Sequence, residues 1–151
     1  MASFAFNNLK NFLLSPIADI TSAGAIIVSL IEEVNVDVTT SASYLSAILG
    51  PDSTTEFTEI SGTNYTNPGK LLENTTILVN DGTDVAFLDA DDLTWTNANG
   101  IISAGGCLLS LSAYTSGESV PLAYLDFGVL RISENGPFTL QWLSDGIIQI
   151  A

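Results

Sequence analysis

Thr76-Ile77-Leu78-Val79-Asn80-Asp81-Gly82-Thr83-Asp84-Val85-Ala86-Phe87-Leu88-Asp89 is the stretch that decides the fold class. Ile77 and Val79, then Val85 and Phe87, place apolar side chains at every second position, the period of a strand with one buried face. Between them, Asn80-Asp81-Gly82-Thr83 supplies residue types that tolerate positive φ, so the stretch predicts a β-hairpin.

The same alternation continues towards the C-terminus. Leu93 and Trp95 extend it to a turn at Asn97 to Gly100, and Cys107, Leu109, Leu111 and Ala113 then alternate with Ser110 and Ser112. Further on, Leu122, Tyr124 and Asp126 are expected on one face, with Ala123, Leu125 and Phe127 on the other. Phe138, Leu140 and Trp142 alternate with Thr139 and Gln141, and after Asp145-Gly146 the run Ile147-Ile148-Gln149-Ile150 makes a last strand.

Towards the N-terminus the signals are mixed. Residues 50 to 70 are rich in Thr, Ser, Asn and Gly, which predicts loops around one edge strand. Ala25 to Ile31 is an apolar run rich in β-branched residues, expected as a strand buried on both sides. Tyr44, Leu45, Ile48 and Leu49 share a helical face between the capping candidates Ser41 and Ser43 and the stop at Gly50-Pro51. Phe6, Leu9 and Phe12/Leu13 stand at helical spacing before Pro16, so the chain starts with a short helix or an extended arm. Seven or eight short strands predict a mainly β chain: a single-domain antiparallel β-sandwich or jelly-roll-like fold with one or two short helices in its N-terminal third. The boundaries that follow are an arm or short helix over 1–20 and a β-sandwich over 21–151.

Composition limits what such a domain can do. Of 151 residues 46% are hydrophobic and only 13% charged, enough for a packed core rather than a disordered tail. Three Lys+Arg against 17 Asp+Glu give a formal charge of −14, which repels phosphate backbones and acidic headgroups. Direct nucleic-acid and membrane binding are therefore not expected. The longest apolar stretch, Ala23 to Ile31, is far short of the roughly 20 residues of a membrane span, and the start of the chain lacks the order of a secretory signal. A soluble chain made in a cytoplasm is the expectation, and the sequons Asn64-Tyr65-Thr66 and Asn74-Thr75-Thr76 are discounted on that ground. Cys107, the single cysteine, reads as a small apolar core residue.

The residue inventory also removes most catalytic chemistry. With no histidine, neither a Ser-His-Asp nor a Cys-His arrangement can be built, and a His-containing zinc site is excluded. Lys10, Lys70 and Arg131 are too few and too scattered for a phosphoryl-transfer site, so neither an enzyme nor a cofactor is expected. Carboxylates remain. Asp81, Asp84, Asp89, Asp91 and Asp92 crowd one segment; Asp89, Asp91 and Asp92 are weak cation candidates as hard oxygen ligands, against the blander reading that Asx residues cap turns and strand ends. A carbohydrate- or cation-binding module facing a host would use Trp95, Trp142 and the Asp89 to Asp92 group.

The order Leu78-Val79-Asn80-Asp81, Ala86-Phe87-Leu88-Asp89-Ala90-Asp91-Asp92-Leu93-Thr94-Trp95, Pro121-Leu122-Ala123-Tyr124-Leu125-Asp126-Phe127-Gly128, Asn135-Gly136-Pro137-Phe138-Thr139-Leu140-Gln141-Trp142 and Asp145-Gly146-Ile147-Ile148 resembles a family of small tailed-bacteriophage virion structural proteins. The start, Met1-Ala2-Ser3-Phe4-Ala5-Phe6-Asn7, extends the resemblance over nearly the whole chain. It departs from the pattern at Cys107 to Tyr114 and at Glu32-Glu33 with the following Val34 to Val38 stretch. That family includes capsid decoration (cement) candidates. The resemblance implies a β-rich virion component assembled in the host cytoplasm, with the major capsid protein or other virion proteins as partners. Cement proteins bridge capsid subunits at symmetry axes, so a homotrimer on the head exterior is expected, with Phe4, Phe6 and Leu9 as assembly-interface candidates, although Phe4 and Phe6 read first as core residues and only second as an arm on a neighbouring subunit. A neck, tail or fibre-associated component is the alternative within the virion.

Overall fold

The structure is a computed structural model that describes residues 2–14, 26–34, 48–50, 56–62, 64–96, 100–115 and 118–150. Its elements in chain order are β1 (Phe4–Ala5), α1 (Asn7–Leu14), β2 (Ile26–Val34), β3 (Leu49–Gly50), β4 (Phe57–Glu59), β5 (Lys70–Leu71), β6 (Thr76–Asn80), β7 (Val85–Asp89), β8 (Leu93–Trp95), β9 (Ile101–Thr115), β10 (Glu118–Glu134), β11 (Phe138–Leu140) and β12 (Ile148–Ile150). The chain is mainly β, as its alternation requires, and forms a single sandwich-like domain around a curled half-barrel sheet.

Seven strands make that sheet, in the order β1-β10-β9-β2-β4-β3, with β5 also on β2. All its pairings are antiparallel except β3 with β4. Two smaller sheets, β11-β8 and β12-β7-β6, complete the architecture. The long hairpin of β9 and β10 corrects the expectation of uniformly short strands. Its two partners run 15 and 17 residues, because the turn signals between them are confined to one short connection.

Both faces of the large sheet are buried at its centre, so β9 is buried on both sides over Cys107 to Leu111, the polar Ser110 included, rather than on one. One face carries Val28, Leu30, Cys107, Leu109 and Leu122, on which Leu93 and Trp95 of β8, Phe138 of β11 and Leu88 of β7 close. The other carries Ile31, Leu108 and Tyr124, covered by Phe6, Ile48 and Phe57. The second face is an aromatic cluster: Phe57 lies 5.2 Å from Tyr124 and 6.4 Å from Phe6 between ring centroids, and Phe4 lies 5.2 Å from Phe6. Burial pushes the Cys107 thiol pKa upward and keeps the sulfur inert.

Tyr124 is on the opposite face from the one its alternation with Leu122 predicts. β10 slips register between Pro121, opposite Ser110, and Ala123, opposite Leu109. This β-bulge inserts one residue and reverses the side chains that follow as far as Asp126, where the next shift begins, so Leu122 points into the first core and Tyr124 into the second. Gly106 makes room for the turned ring: a Cβ there would collide with the Tyr124 hydroxyl and lie 2.6 Å from the Leu125 carbonyl oxygen.

The remaining expectations divide. The helix over 7–14 is present, and the apolar run from Ala25 reappears as β2 with Ile26, Val28, Leu30 and Ile31 buried. Most of the helix expected around Tyr44 and Leu45 falls outside the described residues, and Leu49 opens a strand instead. The strand expected at an edge between 50 and 70 is β4, which lies between β2 and β3. The hairpin of β6 and β7 forms in the expected place, closed by Thr83 N–H to the Asn80 carbonyl at 3.2 Å. Its positive φ belongs to Asp84, at 56°, rather than to Gly82.

Candidate binding surface

β6 differs from every longer strand: all five of its residues are exposed. Alternation predicts one wet and one buried face, with Ile77 and Val79 inward. Instead Ile77 is 52% exposed, Leu78 44% and Val79 67%, so apolar side chains face water on both sides. β6 is the outermost strand of β12-β7-β6, and its outer edge pairs with no strand among the described residues. With Ile150, 43% exposed, these side chains leave unburied roughly the apolar surface of two whole residues, about 3–6 kcal/mol of unrealised burial.

The small sheet is anchored to the large one on its inner side. Leu88 is buried in the first core, and Ile147 N–H donates to the Leu88 carbonyl at 2.7 Å. Gly146, at φ 83°, lets the chain pass that close; a Cβ there would lie 2.6 Å from the same oxygen. Between the sheet and α1 lies a wholly apolar cleft of about 130 Å³, lined by Leu9, Ile77, Ala86, Phe87, Leu88, Ile148 and Ile150. A second exposed apolar patch lies where β9 begins and β10 ends. Ile101, Leu130 and Ile132 are exposed there, with Val129 on the protrusion that a further register shift raises between Asp126 and Arg131.

The acidic segment is held by structural hydrogen bonds. Asp89 Oδ1 accepts from its neighbour's Ala90 N–H at 3.0 Å, and Asp91 Oδ2 accepts from Asn74 Nδ2 at 2.7 Å. Asp92 Oδ1 accepts from Trp142 N–H at 3.0 Å, while Trp142 Nε1 donates to the Asp91 carbonyl at the same distance. Each carboxylate thus fixes a different turn, as Asx side chains at strand ends do. Among the described residues no group of three or more His, Cys, Asp or Glu could hold a metal ion.

Nor do the tryptophans form a sugar platform. Trp95 is 1% exposed, 6.3 Å from the Tyr65 ring and 6.2 Å from Phe138, with Lys70 Nζ 5.8 Å from its centroid. Trp142 is half-buried against the first core. Phe6 and Leu9, expected at an assembly interface, are buried in this chain's own cores, and Phe4 is half-buried beside Phe6. Their burial has a simple cause: β1 pairs with β10, Phe4 opposite Tyr124, so the arm is the edge strand of its own sheet.

One buried polar cluster carries no sequence signal. Tyr65 donates its hydroxyl to Glu59 Oε1 at 2.6 Å and accepts from Leu30 N–H at 2.9 Å, both inside the protein. Along that side of β2, β5 pairs with Ile27 and Val28, and β4 with Ile31 to Val34. The Tyr65 hydroxyl and the Ile60 N–H, which donates to the Leu30 carbonyl at 3.0 Å, fill the gap between them. Burial raises the Glu59 pKa, and the hydrogen bond from Tyr65 opposes the rise.

No family model, curated protein or solved structure matches this chain. Among the described residues no helix is long and apolar enough to cross a membrane.

Proposed function

We propose that this chain is a non-enzymatic structural component of a tailed-phage virion, and specifically a capsid decoration or cement protein that binds the head exterior and stabilises it. The observation that carries the reading is the apolar β6-β7-β12 surface, exposed on both sides of its outer strand, on a chain of formal charge −14. Exposed apolar surface on this scale marks an interaction site, and the acidic balance suits a position away from packed DNA. The sequence resemblance supplies the phage context. Self-association to a trimer belongs to the same reading, and the Ile101, Leu130 and Ile132 patch is the surface assigned to it. The patch is only lightly charged: Ser103 stands opposite Ile132, and Glu134, opposite Ile101, lies at its end.

Two measurements test this. Electron cryomicroscopy of particles assembled with the chain is expected to place trimeric density on the outside of the head. Analytical ultracentrifugation is expected to show a trimer that tightens from low to moderate salt, because screening relieves the repulsion between protomers. A strict monomer at every salt and concentration, together with particles that hold their DNA equally well without the protein, would overturn the cement reading.

A further inference from the structure

We infer that the outer edge of β6 is a docking site for an extended segment of a different protein, one that is apolar through its middle, carries Lys or Arg at both ends, and adds to the sheet as a fourth strand. The inference deepens the proposed function by naming the chemistry of the partner, and it rests on that reading only in taking the partner to be a virion protein.

The edge is open in the sense that matters for strand addition. Thr76 to Asn80 contains no charged residue and no proline, and β6 pairs with β7 in unbroken register from Thr76 opposite Asp89 to Asn80 opposite Val85. Proteins that need to block an edge place Lys, Pro or a bulge on it, and β6 has none of these. Its row of backbone donors and acceptors can bond an incoming strand, while Ile77, Leu78 and Val79 give that strand apolar contact on both faces.

Charge selects the occupant. From Glu73 to Asp92 the chain has six carboxylates, Glu73, Asp81, Asp84, Asp89, Asp91 and Asp92, and neither Lys nor Arg. They bracket the edge. Asp81 and Asp84 lie in the turn after β6, Glu73 lies before it, and Asp89 stands opposite Thr76 on β7. A second copy paired antiparallel along β6 would set Asp81 and Asp84 of each chain beside Glu73 and Asp89 of the other. Like charges so placed oppose pairing, whereas Lys or Arg at both ends of a partner strand complements them. A five-residue strand spans roughly 17 Å, so the matching segment has about five central residues between its basic ends.

The test uses the full chain and a labelled seven-residue peptide of alternating Val and Thr with a Lys at each end, followed by fluorescence anisotropy. Binding is expected to be at least about tenfold tighter than for the same peptide with Glu ends, and to weaken as salt rises. N-methylation of alternate peptide residues is expected to abolish binding for one of the two alternating sets and spare the other, because only one set of N–H groups faces β6. Val79→Lys, at an exposed position, is expected to weaken binding at least about tenfold with an unchanged melting temperature. Equal binding of the Lys and Glu peptides, no binding, or any other N-methyl pattern would overturn the inference. So would a dimer of the chain that Val79→Lys dissociates, since the edge would then belong to a second copy. Particle binding that survives Val79→Lys overturns strand addition and leaves the virion reading standing. Peptide binding by a chain that never joins particles supports strand addition and overturns the virion reading.

Discussion

Replacing Tyr65 by Phe removes one oxygen and little else, which makes it a sharp probe of how the large sheet is held together. The ring keeps its place against Trp95, 6.3 Å away, so no cavity forms. The change instead leaves Leu30 N–H without its bond of 2.9 Å, in a residue with no solvent exposure, and Glu59 without its bond of 2.6 Å. An unsatisfied buried group costs about 1–3 kcal/mol, and more when charged, so the pair is expected to cost about 2–5 kcal/mol. For a chain of this length that lowers the melting temperature by roughly 5–15 °C. The loss also depends on pH. Burial raises the Glu59 pKa in the folded protein, so the stability of its protonated form is present below the unfolded value and is lost as pH rises through the folded one. Without the Tyr65 hydroxyl the folded value rises further, and the deficit of Tyr65→Phe is expected to be larger at about pH 7.5 than at about pH 5. Denaturant unfolding of both proteins at the two pH values measures this. A loss below about 1 kcal/mol at both would refute the idea that this hydroxyl closes the gap along β2.

Two further substitutions test the packing. Gly106→Ala is expected to destabilise by about 1–3 kcal/mol or more, read by thermal melting, because the added methyl meets the Leu125 carbonyl as well as the Tyr124 ring and the backbone cannot yield as a side chain does. Trp95→Ala is expected to cost about 3–5 kcal/mol in denaturant unfolding, and Trp142→Ala clearly less, since the first empties a fully buried site and the second trims a half-buried one.

The class of fold is legible in the sequence because period-two alternation is local. Val85 and Phe87, Leu93 and Trp95, and Phe138 and Leu140 all lie in strands, and the turn at Asn80 to Thr83 falls where its residue types place it. What escapes the pattern depends on distant pairing. The bulge at Leu122 is invisible in Val120 to Phe127, because it exists only relative to β9, yet it decides which core receives Tyr124. Phe4 and Phe6 read as core or as an arm for a neighbour, with core the better reading, and the choice is made by the pairing of Phe4 and the bond from Phe6 N–H to β10 more than 100 residues away. The exposed surface has the converse problem. Ile77, Leu78 and Val79 look like any strand sequence, and nothing in them tells that both faces of β6 stay exposed in the fold. Glu59 and Tyr65 sit in a stretch rich in loop-forming residues, where nothing nearby announces a hydrogen bond to Leu30.

Cys107 lies at the middle of the large sheet, opposite Leu30 on one side and Leu125 on the other, with no solvent exposure. Its thiol points into the first core, so it can meet a reagent only when the residues packed on that face, Leu93, Trp95 and Phe138 among them, come away, which requires the cooperative opening of the domain rather than fraying of an end. The chain thus carries its own clock for global unfolding: the rate at which a thiol-reactive dye labels it under native conditions counts those openings one molecule at a time. Cys107 is the chain's single cysteine and it is buried, so a cysteine introduced at an exposed position becomes a unique chemical address on the folded protein.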